Sequence, residues 1–251
     1  IMPKIADNME NVKLPGTNFY YSMTKKDNLT SAEYTLVSIA VDVSGSVQSF
    51  RNELENCLKE IAKACQLSPR ADNLLIRVVK FGSNIQEHHG FKLLSEINLD
   101  DYNDFYNSYQ GGRTTALYDS NVDCLLALDD SGKGLTKDDY TVNGIHFCIT
   151  DGVDYSGSIH SDVKVGELTN SLRKNENLES LLSILVKVNV NDADCSAKLN
   201  EFKDKGKFDQ VVDVGDANAK NLAKLAQFVS KSISSQSRSL GSGSASQTLT
   251  F

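Results

Sequence analysis

The run Thr35-Leu-Val-Ser-Ile-Ala-Val-Asp42-Val-Ser44-Gly45-Ser46-Val47 decides how the rest of the chain is read. A segment dense in β-branched and apolar residues stops at an aspartate, the pattern of a buried strand that delivers polar groups to its carboxyl end. An acid and two hydroxyls on one turn serve poorly as core and well as hard oxygen ligands. Gly45 lets the backbone turn tightly enough for Ser44 and Ser46 to face one ion.

Downstream, Phe50, Leu54, Leu58, Ile61 and Cys65 recur at helical spacing, with Ser49 as a cap and Pro69 as the stop. Leu74 to Phe81 predicts a second strand, and a turn at Gly82-Ser83-Asn84 leads to an extended piece near 86–94, an antiparallel edge. Asp100 to Tyr106 reads as a helical turn or two. The glycine-rich loop Gly111-Gly112-Arg113-Thr114-Thr115 opens a helix carrying Leu117, Cys124, Leu125 and Leu128, and 129–143 reads as an exposed polar loop. Gly144 to Thr150 predicts a buried strand ending at Asp151. Helices near 164–176, 194–205 and 217–234 then alternate with strands near 181–190 and 208–214. The alternation predicts an α/β fold: a Rossmann-like, mainly parallel central sheet with one antiparallel edge strand and helices on both faces. Residues 1–34 read as an extended arm whose Phe19-Tyr20-Tyr21 patch packs onto its own domain, 35–234 as the domain, and 235–251 as a flexible Ser/Gly-rich tail.

Composition narrows the function. The chain has 251 residues, 40% of them apolar and 24% charged, with net charge −7 and no basic cluster, which argues against a nucleic-acid partner. Five cysteines without a C-x-x-C pair fit buried thiols in a reducing compartment. Lys4, Asp7 and Glu10 interrupt any leader-like apolar run, and no stretch of 18 apolar residues occurs. A cytoplasmic monomer without membrane contact is expected.

In open α/β sheets, ligands bind at the carboxyl ends of the strands, near the switch in strand order. Three loops bring oxygen groups there: Asp42/Ser44/Ser46, Thr114/Thr115 and Asp151. Two carboxylates and several hydroxyls suit Mg²⁺ or Mn²⁺.

At these residues the sequence resembles the von Willebrand factor A domains. Asp42-Val-Ser44-Gly-Ser46 matches the family's D-x-S-x-S. Gly-Gly-Arg-Thr-Thr115-Ala-Leu-Tyr-Asp is similar to its G-G-x-T-A-L-Y-D-A helix start, and Ile-Thr150-Asp151-Gly152 matches its strand-end T-D-G. Together these form the family's metal-ion-dependent adhesion site, and the resemblance spans about residues 35–234. It implies Ser44 and Ser46 as direct ligands, Asp42 and Asp151 as direct or water-mediated ones, and Thr115 as the remaining ligand, with Thr114 as an alternative hydroxyl. It also implies a protein partner whose Asp or Glu takes the open coordination position. Bacterial and phage stand-alone domains of the family resemble this chain, which brings in a MoxR-type ATPase system as an implied setting.

The leading reading is therefore a non-enzymatic, metal-dependent protein-binding module. The alternative is a Mg²⁺-dependent phosphoryl-transfer or hydrolytic enzyme using Asp42 and Asp151. Against it, Ser44 stands where a phosphatase of the haloacid-dehalogenase type would place a second acid, and no P-loop or G-x-S-x-G occurs. A third reading is a structural subunit with a vestigial site. Asp154 reads as a solvated loop acid, Asp119 as a first-turn helix carboxylate, His88-His89 as a surface pair and His146 as a hydrogen-bonded core residue. Arg113, Tyr118, Tyr155 and His160 are rim candidates for partner contacts.

Overall fold

The computed structural model describes residues 8–14, 17, 20–109, 114–155, 157–243 and 247–251. Its strands are β1 (Met9–Lys13), β2 (Tyr20–Thr24), β3 (Glu33–Asp42), β4 (Leu74–Phe81), β5 (Ile85–Leu93), β6 (Thr141–Thr150), β7 (Leu181–Lys187) and β8 (Gln210–Asp213). The helices are α1 (Arg51–Gln66), α2 (Leu117–Thr136), α3 (Asp162–Leu172), α4 (Ala193–Lys205) and α5 (Ala219–Ser242). The strands form one sheet in the order β1-β2-β5-β4-β3-β6-β7-β8.

From β4 through β3, β6 and β7 to β8 all pairing is parallel, and β5 runs antiparallel to β4. The α/β sheet is thus the expected one, but β5 is not its edge. The antiparallel β1–β2 hairpin continues the sheet beyond it, joined through Met23 opposite Phe91. Part of the expected arm is therefore sheet.

Alternation along β3 feeds two cores. Val37, Ile39 and Val41 pack with Leu54, Leu58 and Ile61 of α1 and Leu222, Leu225 and Val229 of α5. Leu36 and Ala40 face the opposite side, with Val122, Leu125 and Leu128 of α2 and Leu199 and Phe202 of α4. A central strand buried on both faces reads as a near-continuous apolar run for this reason.

The hairpin is seated by a small residue and by charge. A Cβ on Gly90 would lie 1.9 Å from the Ser22 carbonyl oxygen, so only glycine lets β2 approach this closely. Ser22 donates from its backbone N–H (2.9 Å) and hydroxyl (2.6 Å) to Glu87 Oε1. Glu87 Oε2 accepts from buried Arg77 Nε at 2.7 Å, and Arg77 Nη2 reaches Asp123 Oδ2 at 2.8 Å.

Several elements outrun their expected ends. α2 continues to Thr136 through the expected loop, because Gly132 packs against 177–178 where a Cβ would meet the Asn177 carbonyl oxygen at 2.7 Å, and Leu135 is buried. α5 runs on to Ser242, eight residues past the expected 234, with Ser232, Gln236 and Ser237 buried along it. Gln236 Nε2 donates to the Gly144 carbonyl oxygen at 3.1 Å, and Asn143 Nδ2 to that of Gln236 at 2.7 Å. Beyond the helix, Gln210 Nε2 donates to the Leu249 carbonyl oxygen at 2.9 Å, and the Phe251 ring meets Phe228 edge-on. The segment expected as a flexible tail thus makes helical and tertiary contacts. His88 and His89 are not a surface pair. Both pack against Tyr102, and His89 Nε2 lies 2.8 Å from the Tyr102 hydroxyl, because residues 94–109 fold back over β5.

Candidate metal centre

The chain leaves β3 toward β4 on one side and later builds β6, β7 and β8 on the other, so the strand order reverses between β3 and β6. Asp42 ends β3, and Thr150 and Asp151 end its neighbour β6. A cleft at such a reversal is where α/β sheets hold ligands.

Asp42 is 1% exposed. Its Oδ1 accepts the Ser44 backbone N–H at 2.9 Å, which folds the chain back over the strand end. Residues Gly45–Phe50 then form a 3-10 turn leading into α1. The turn sets Ser44 Oγ 3.1 Å from Ser46 Oγ, and Ser46 Oγ donates to Asp151 Oδ1 at 2.8 Å. Four of the five expected residues, Asp42, Ser44, Ser46 and Asp151, thus form one connected oxygen cluster.

Thr115 shares no hydrogen bond with these four among the described residues. It forms an antiparallel bridge with Tyr155, Thr115 N–H to Tyr155 O at 3.2 Å and Tyr155 N–H to Thr115 O at 3.0 Å. Ala116 N–H donates to the Gly82 carbonyl oxygen, which ties this loop to the end of β4. Thr115 itself is buried. The glycines before it, Gly111 and Gly112, and the rim candidate Arg113 lie outside the described residues.

Burial pushes the Asp42 carboxyl up from its ordinary range, against the pull of the Ser44 N–H and the Thr150 hydroxyl. Asp151 is pushed up to about 6, first by burial and then by the negative charge of Asp42. Neither carboxylate has an ion-pair partner among the described residues.

Two contributors were not anticipated as site residues. Thr150 Oγ1 lies 2.7 Å from Asp42 Oδ2 and 2.8 Å from the Gly152 carbonyl oxygen, and its single proton favours the carboxylate. Its place in Thr-Asp-Gly was the available signal. The Tyr106 hydroxyl is buried without a hydrogen bond among the described residues, and burial first, then the charge of Asp42, pushes it up. Nothing in the sequence around Tyr106 announced this.

The other candidates serve the scaffold. Asp119 accepts the Ile159 and His160 backbone N–H groups at 2.9 Å each, with His160 Nδ1 2.7 Å away, and so pins the loop after β6. Asp154 accepts the Ser158 hydroxyl. Tyr118 packs at a tilt against Phe202 with ring centroids 5.0 Å apart. His146 is a core residue between Asn121 Oδ1 at 2.8 Å and the Ser38 carbonyl oxygen at 3.3 Å. Tyr155 and Ile159 stay 66% and 90% exposed beside the cluster.

Buried Asp42 and half-buried Asp151, without an ion-pair partner among the described residues and linked to the serines, fit a hard divalent cation, which would offset their repulsion. Among the described residues no cluster of three or more His, Cys, Asp or Glu side chains is placed to hold a metal. A centre of two carboxylates with neutral hydroxyls falls outside that pattern.

Neither a protein-family model nor a functionally characterised sequence matches the chain. Solved structures do. A D319A mutant of the PilB minor pilin of Streptococcus sanguinis superposes with TM-score 0.60 at 12% identity, over 89% of this chain and 66% of that one. The pilus adhesin SpaC of Lactobacillus rhamnosus GG, in its open conformation, gives 0.55 at 11% identity, over 87% and 32%. Proximal thread matrix protein 1 of the mussel byssus, with a zinc-occupied MIDAS motif, gives 0.51 at 16%, over 81% and 46%. The chain thus spans between a third and two thirds of the length of these proteins. At such identities the likeness speaks of architecture, and with the reversal of strand order at β3 and β6 it gives this chain the von Willebrand factor A fold.

Proposed function

We propose that the chain is a non-enzymatic, metal-dependent protein-binding module. In this reading Asp42, Ser44, Ser46, Thr115 and Asp151 hold Mg²⁺ or Mn²⁺, and a partner's Asp or Glu completes the coordination. The observation that carries it is the oxygen cluster at the carboxyl ends of β3 and β6, in which buried Asp42 and half-buried Asp151 meet no cationic side chain among the described residues. A hard cation in such a setting favours a carboxylate over water in its remaining positions.

The surface beside the cluster supports a protein as the ligand. Of the six large apolar side chains exposed among the described residues, Tyr155, Ile159 and Val163 fall within twelve positions of Asp151. Tyr155 and Ile159 ride on a loop fixed at Thr115 and Asp119 and Val163 lies in the first turn of α3, so their placement costs little further ordering on docking. The partner element we infer presents an acid beside apolar groups. A MoxR-type ATPase system and a cytoplasmic setting belong to the same proposal. For the second of these, the five unpaired thiols are the support. Among the described residues no helix is long and apolar enough to cross a membrane.

Calorimetric titration of Mg²⁺ and Mn²⁺ into chelator-treated protein, beside Asp42→Ala, tests the reading. Saturable binding lost in the variant is expected, followed by metal-dependent capture of an acidic partner. Absence of metal binding in the wild type, with partner capture equal in chelator, would overturn it.

A further inference from the structure

At the sheet edge opposite the metal centre, a cavity of about 290 Å³ opens between the ends of α1 and α5. It is lined by Arg70, Lys231 and Arg238 together with Ser68, Ser230 and Ser234, and no acid lines it. α1 begins beside Ser46 and runs 16 residues, which puts the cavity about 24 Å from the metal centre.

The lining charge is only partly answered. Arg70 Nη2 pairs with Glu33 Oε2 at 2.9 Å, and its Nε donates to Ser237 Oγ at 3.2 Å. Arg238 Nε reaches only the Ser234 carbonyl oxygen, at 3.3 Å. Lys231 makes no hydrogen bond or ion pair among the described residues. The helix that supplies two of the cations carries Lys220, Lys224, Lys231 and Arg238 and no acid, in a chain of net charge −7.

Cations in the last turn of a helix complement its dipole, but Arg238 lies four residues before the end of α5, which has no basic residue in its last turn. The dipole does not explain Lys231 either, about two turns before Arg238. Nor does it explain hydroxyls converging on the same space, where Ser234 Oγ lies 3.5 Å from Ser68 Oγ.

We propose that this cavity binds a tetrahedral oxyanion, phosphate or sulfate, free or as a monoester. Arg70 is held in place by Glu33 and Ser237 and presents its remaining guanidinium edge. Lys231 and Arg238 supply mobile charge, and the serine hydroxyls turn to donate to the anion oxygens. The residues are independent of the metal ligands, so this site stands or falls apart from the function proposed above.

The test is an NMR titration of the full chain with inorganic phosphate, sulfate and glycerol 3-phosphate, at ionic strength matched with chloride, following the amides of 68–71 and 230–238. Saturable shifts confined to these segments are expected. Lys231→Gln and Arg238→Gln should each weaken binding about threefold to tenfold, and the double variant by the product. Lys220→Gln, on the same helix but far from the cavity, and Asp42→Ala should bind as wild type does. Tighter binding of the monoester would identify a carried group as the source, and equal binding the free ion. Shifts no larger than those in chloride, or wild-type affinity in the double variant, would overturn the proposal.

Discussion

Replacing Asp151 by Asn should stabilise the metal-free protein while removing its metal. Asp151 is pushed up to about 6 from an ordinary 3.8 by burial and by Asp42. A carboxyl raised in the folded state contributes stability that is full below the unfolded value and is lost as pH rises through the folded one. At pH 7.5 the Asp151 carboxylate is ionised and its cost is fully expressed. The gap of about two pH units is worth about 3 kcal/mol at about 1.36 kcal/mol per unit, and partial exposure reduces this to about 2 kcal/mol. Asn keeps the oxygen that accepts from Ser46 but drops the charge. In chelator, Asp151→Asn should therefore melt about 4–8 °C above wild type. With Mg²⁺ at about a hundred times its dissociation constant, the wild type should gain about 2.7 kcal/mol and the variant nothing, which erases the difference. Urea and thermal unfolding at pH 7.5, in chelator and in Mg²⁺, measure both arms. A variant less stable than wild type in chelator would refute the argument that these carboxylates strain each other.

Thr150→Val removes the donor to Asp42 Oδ2 without changing shape, and calorimetry should find Mg²⁺ affinity reduced about tenfold to a hundredfold. Burial lowers His89 and His146 from 6.5 to about 4, so the unfolded chain takes up protons first as pH falls. Stability is then full above about 6.5 and declines toward pH 4, by up to about 3 kcal/mol for each group, and urea midpoints between pH 7.5 and 4.5 should track the loss. Gly90→Ala sets a methyl against the Ser22 carbonyl and should detach the β1–β2 hairpin, seen as fast amide exchange over 20–24 with β3 and β6 still protected.

The chemistry was legible because it is local. Asp42, Ser44 and Ser46 share one turn, and each strand end that carries a ligand is announced by an apolar run that stops at an aspartate. Long-range partners were not legible. Thr150 matters because β6 happens to lie beside β3, and Tyr106 because residues 94–109 fold back toward the centre. Serine-rich sequence reads as linker, yet in α5 Ser237 answers Arg70, and neighbouring Gln236 accepts from the Asn143 side-chain amide and donates to the Gly144 carbonyl oxygen. The hairpin was hidden in a polar segment broken by Pro15 and Gly16, whose seat depends on a glycine 68 residues downstream of Ser22.

The hairpin also makes the exposure of β5 a question of lifetimes. β2 meets β5 at one paired position and through the Ser22–Glu87 contacts, whereas β3 to β8 are tied by crossovers that do not pass through it. Each excursion of the hairpin opens the paired position at Phe91 and uncovers that side of β5, while the metal-bearing strands stay paired. Two molecules caught in that state at once could zip edge to edge. How often copies of this protein do so depends on how long the hairpin stays off relative to how soon another molecule arrives, and so on concentration.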